Sequence, residues 1–127
     1  MPKEKEMSNP ALKRLAIILL VLVLFPLGHA HSKELLSGND LVQLMREYEK
    51  AERNDKSTNW HKAGEYVGYV MGFYDATWFF YADPQSITEG QVAAVVAEFL
   101  NRHPEKWNRP AWDLVMEALQ EAFPKAK

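Results

Sequence analysis

His31, His61 and His103 share no i, i+4 spacing, so no helix face can present two of their imidazoles to one metal ion. Ser32, Ser37, Ser57, Ser86, Thr58, Thr77 and Thr88 lie outside any nucleophile elbow or serine-lysine signature. A hydroxyl with no positioned base is a weak nucleophile, and these fall mostly in caps and loops, where hydroxyls bond the backbone. The chain contains no cysteine, which removes a thiol nucleophile, thiolate metal ligation and disulfides together. Its carboxylates fall mostly between apolar positions, as on solvated helix faces. No cofactor is implied. The chemistry the residues do support is recognition: Trp107 with Arg102 and Arg109 is the type of set that anchors protein interfaces. The bland alternative is that Trp107 folds back over the third or last helix as core cover.

These residues belong to a short chain with a distinct leader. Lys3, Lys5, Lys13 and Arg14, against Glu4 and Glu6, lead into thirteen uncharged residues from Leu15 to Leu27. Gly28 and Ala30 then supply the small side chains a signal peptidase accommodates, so residues 1–30 read as a signal peptide cleaved after Ala30. The rival reading is a retained anchor, but a permanent span needs roughly 20 apolar residues. Contact with the membrane is thus expected only in transit. Cleavage would make His31 the first residue, whose amine and imidazole together can chelate Cu(II); a mobile chain end argues against a site there.

The mature residues 31–127 carry 11 Lys and Arg against 15 Asp and Glu, a net charge of −4 with histidines neutral. Nucleic acid favours a basic face, so it is excluded as a partner, whereas a basic protein would be attracted. Four Trp, five Tyr and six Phe in the whole chain make a dense core plausible without disulfides.

Four helical segments are expected to position the side chains. Leu41, Leu44, Met45, Tyr48 and Ala51 recur at spacings of three and four across residues 37–54, with Asn39 as a candidate cap. From Trp60 to about Tyr81 the apolar residues cover most faces, as in a central helix, until "ADPQ" breaks it. Thr88 and Gln91 have capping-box spacing, stapled by Ile87 and Val92, ahead of a face of Val92, Val95, Val96, Phe99 and Leu100. That helix must stop before Pro104, and "NRHPEKWNRP" has room for one helical turn. Pro110 suits the start of a last helix whose buried side is Leu114, Val115, Ala118, Leu119 and Ala122. No segment alternates with period two, so the fold class is all-α, a small bundle of about four main helices.

Gly64, Gly68 and Gly72 fall on one stripe of the central helix, each costing roughly 1 kcal/mol against alanine. Something should approach that stripe closely. The favoured reading is tight packing within one subunit; a self-association face and a groove for a foreign chain remain open. Asp75, near the same stripe, is expected to bond a neighbouring helix end or an indole.

Four pieces in order, "GNDLVQLM", "GYVMGFYDA", "DPQSITEGQVAAVVAEFLNRHPEKW" and "AWDLVMEALQEAFP", resemble the Rap/Tai immunity-protein family over roughly residues 37–124. The resemblance implies a helical periplasmic protein, often a homodimer, that protects against peptidoglycan amidase effectors of type VI secretion. It further implies an exposed loop that enters or covers the cleft of a papain-like amidase. Where family members commonly carry cysteines, this chain has Met45, Ala82 and Lys125, which removes a stapling option.

Together these readings give a periplasmic immunity protein that blocks an amidase sterically and is not an enzyme. The alternative is a periplasmic interaction or chaperone-like module without an effector partner; a small hydrolase or copper protein has little in its favour. Two proline-bounded connections are the candidate contact regions. They supply Tyr81, Asp83 and Gln85 from the first, and Arg102, His103, Glu105, Lys106, Trp107, Asn108 and Arg109 from the second.

Overall fold

The computed structural model describes residues 9–24, 35–82 and 86–125. The chain divides into two units, 1–34 and 35–127. In the first, α1 spans Pro10–Leu24, and its side chains from Ala11 to Leu19 are exposed. Among the described residues no helix is long and apolar enough to cross a membrane. The residues proposed for signal cleavage, with His31, lie outside the described residues.

The second unit holds α2 (Gly38–Glu52), α3 (Trp60–Thr77), α4 (Glu89–Arg102) and α5 (Ala111–Ala122). A 3-10 turn at Trp78–Phe80 ends α3 early, and another, Pro104–Lys106, occupies the connection before α5. No strand occurs among the described residues beyond an isolated bridge between Ser37 and Pro110, so the domain is all-α.

Ser37, not Asn39, caps α2. Its hydroxyl accepts the Asp40 N–H (3.2 Å), while its own N–H donates to the Asp40 carboxylate (3.1 Å). That reciprocal pair satisfies two helix-end donors, and the Ser37 hydroxyl holds the Asp40 carboxyl below its ordinary range. The same segment is pinned to the far end of the fold: Gly38 N–H donates to Arg109 O and Ala111 N–H to Leu36 O, each at 2.8 Å. A β-carbon at Gly38 would stand 2.5 Å from Leu114 Cδ1 and 2.6 Å from Trp107 O, so only glycine fits this junction. Thr88 and Gln91 make the capping box expected of them at the start of α4.

The core combines Leu41, Val42, Met45 and Tyr48 of α2 with Tyr66, Val70 and Tyr74 of α3. Val92, Val96, Phe99 and Leu100 of α4 and Leu114, Val115 and Leu119 of α5 complete it. Tyr66 is wholly buried, lies 5.1 Å from the Tyr48 ring, and donates its hydroxyl to Ala93 O at 2.9 Å. Burial pushes both phenols up. Ala122 is exposed, because the last turn of α5 runs past the core. Met45 is core, and the Ala82 N–H ties the end of the α3 segment to Phe123 O (2.8 Å).

Candidate protein-interaction surface

The second connection is braced to α5. Asp113, Glu117 and Glu121, four residues apart, form one edge of that helix and receive three cations from the chain preceding it. Arg109 donates to Asp113 (2.6 Å) and Glu117 (2.7 Å), Lys106 to Glu117 (2.5 Å) and Arg102 to Glu121 (2.8 Å). Bonds to Asp113 and Glu117 push the Arg109 guanidinium up, the Glu121 bond does the same to Arg102, and Lys106, then Arg109, hold Glu117 down. Trp107 is half-buried and folded back on the core, its indole N–H donating to Leu100 O at 2.9 Å. The Arg46 guanidinium sits 5.7 Å from its ring. His103 lies against Phe99, with Nδ1 3.0 Å from Glu105 Oε1. The expected anchor set is therefore engaged within the molecule: the indole covers core, and both arginines are paired. Glu105, Asn108 and Arg102 keep exposed surface here.

The first connection holds a correction. Tyr81 is 2 % exposed, its hydroxyl donating to Tyr74 O (2.8 Å) within 3.1 Å of Thr77 Oγ1, so it pins the end of α3 rather than meeting a partner. Asp83 and Gln85 lie outside the described residues. Just before Tyr81, Trp78, Phe79 and Phe80 are 57 %, 49 % and 50 % exposed. Their rings touch in sequence, Trp78 to Phe79 at 6.2 Å and Phe79 to Phe80 at 4.4 Å. Sequence reasoning counted them as central helix; four successive aromatics cannot all face one core, and that was the available signal.

The glycine stripe is a second correction. Among the described residues, no heavy atom lies within 4 Å of where a β-carbon would stand at Gly64, Gly68 or Gly72. Close packing within the subunit is thereby overturned, because α3 turns its tyrosines and valines to the core and its glycines outward. Asp75 is exposed, with no hydrogen bond or ion pair among the described residues, so the structural bond expected of it is absent.

A further surface was not foreseen. The outward side of α4 borders two cavities, of about 720 and 490 Å³, that meet at Ala94 and Glu98. The larger is mainly apolar, lined by Ile87, Ala94, Val95 and Phe123 with Ser86, Gln91 and Glu98; the other lies toward α2, with Glu49, Glu52, Arg53 and Arg102 in its lining.

Exposed aromatics beside open grooves are features found at protein-interaction surfaces. Residues 37–124 match the family of Rap1a immunity proteins, and the chain belongs to that family. No curated protein and no solved structure is significantly similar to it. As an immunity protein it belongs to a non-catalytic class that binds a cognate secreted effector.

Proposed function

We propose that the protein is exported to the periplasm, its leader cleaved after Ala30, and there binds and sterically blocks a peptidoglycan amidase delivered by a type VI secretion system. The family match over residues 37–124 carries this reading. The braced connection supports it: a plug must keep its shape inside a cleft, and preorganisation lowers the entropic cost of binding. The contact regions are Asp83 and Gln85 in the first connection, and in the second the accessible edge formed by Arg102, Glu105 and Asn108, with His103, Lys106 and Arg109 behind it.

The outward glycines favour a homodimer. Positions pair about Gly68 as they would across a two-fold axis between antiparallel helices: Gly64 faces Gly72, His61 faces Asp75, and Trp60 faces Ala76. Close backbone approach, a polar contact and a large-to-small fit arise from the one crossing. The solution mass of the wild type and of Gly68→Leu tests it: a dimer that the leucine converts to a monomer supports the face, and a wild-type monomer at working concentration rejects it.

Co-expression with a secreted amidase encoded beside it tests the function. Protection of the cell wall and a purified complex are expected; lysis with no complex would refute the reading.

A further inference from the structure

α4 runs from the first proline-bounded connection to the second, and two adjoining cavities along it form a seat. Ser86 and Ile87 lie at one end, Asn101 and Arg102 at the other, and the two cavities share Ala94 and Glu98 midway. On the α5 side the wall is apolar, from Ile87, Val95 and Phe123. On the α2 side the carboxylates of Glu49, Glu52 and Glu98 outnumber the guanidinium groups. Glu49 accepts from the neutral Asn101 amide (2.6 Å), Glu52 has no ion pair among the described residues, and Glu98 shares Arg102, at 3.8 Å, with the closer Glu121. Arg53 is the one other cation beside this seat among the described residues. The negative potential also reaches Tyr48, whose phenol is pushed up first by burial and then by Glu52 and Glu49.

The second connection differs in kind, since its cations are matched by the acids of α5. A surface whose charges are paired internally has little long-range attraction, whereas unmatched carboxylates beside an apolar trough attract and orient a cation-bearing segment. From this charge complementarity we infer that the outward face of α4 is the docking seat for a basic, amphipathic segment of the effector, apolar side chains entering beside Val95 and Phe123 and Lys or Arg facing Glu49, Glu52 and Glu98. The inference rests on the immunity reading and deepens it: the seat carries the affinity and delivers the effector to the two connections at its ends.

The test is direct binding of the purified full protein to the neighbouring amidase, rendered inactive by replacing its nucleophile, compared with Ala94→Arg/Glu98→Lys and with Asn108→Arg. Ala94 and Glu98 are exposed and the new residues are good helix formers, so the fold is expected to persist, as circular dichroism would verify. The α4 variant should bind at least about thirtyfold more weakly, the size of a hot-spot loss. Wild-type affinity should fall with added salt, and Glu49→Gln/Glu52→Gln/Glu98→Gln should flatten that dependence. Binding by the α4 variant within about threefold of wild type, or loss of self-association instead of effector binding, overturns this inference and leaves the immunity reading standing. Absence of wild-type binding overturns both.

Discussion

Alanine at Gly64, Gly68 and Gly72 separates an outward glycine face from a packed one. With open space at every β-carbon position, each substitution keeps its helix-propensity gain and its restriction of the unfolded chain, about 0.4–1 kcal/mol per site. The triple variant should thus be more stable by about 2 kcal/mol, raising the melting temperature of a domain this size by roughly 8–16 °C. Gly38→Ala is the contrast. Its β-carbon would meet Leu114 Cδ1 at 2.5 Å and Trp107 O at 2.6 Å, and although the leucine methyl can move, the carbonyl belongs to a braced backbone. Overpacking of that kind costs about 1–3 kcal/mol, so Gly38→Ala should melt lower than wild type. Denaturant titration at concentrations where the protein is monomeric reads both without interference from association. Destabilisation by the triple alanine variant would refute the outward placement of the stripe, and a neutral Gly38→Ala would refute the tight junction between α2 and the second connection.

Three further outcomes follow from the contacts. Tyr66→Phe should cost about 1–2 kcal/mol in denaturant unfolding, because it leaves the buried Ala93 carbonyl without its hydroxyl donor. Trp107→Ala should destabilise clearly by the same measurement, though by less than the about 3–5 kcal/mol of a fully buried aromatic because the indole is half-buried; an exposed interface tryptophan would cost almost nothing. Glu117 sits below its ordinary value of 4.5, principally through Lys106, so its folded charged form is favoured: the associated stability is complete above that pH and disappears as pH falls through the lower folded value. Glu117→Gln should accordingly shallow the acid limb of a pH–stability curve, and more so at low salt, since the carboxylate is partly exposed.

Local signals carried most of the helix layout. The Thr88–Gln91 box and the Ile87–Val92 staple lie within one turn of each other, so periodicity and capping chemistry located the start of α4 without help from the rest of the fold. The cap of α2 was less legible. Ser37 and Asn39 are both good caps; the choice depends on the reach-back of Asp40 and on the pairing of residues 36–38 with 109–111, more than 70 residues away. The same distance problem hid the site. Spacing revealed the glycine stripe but not which way α3 is rolled, a matter decided by the tyrosines at 66 and 74 seeking partners across the core. Tyr81 and Trp107 sat beside prolines, where exposure is the common expectation, and tertiary hydrogen bonds drew both inward. The seat along α4 was invisible because it is made of residues from α2, α4 and the chain after α5 that no motif links.

The central claim, inhibition by occupancy, is tested most directly by titrating the purified protein into the neighbouring amidase while following cleavage of isolated peptidoglycan. Activity should fall to zero at a fixed stoichiometry as a stable complex forms. Undiminished turnover in the presence of excess protein, with the two eluting separately, would contradict it.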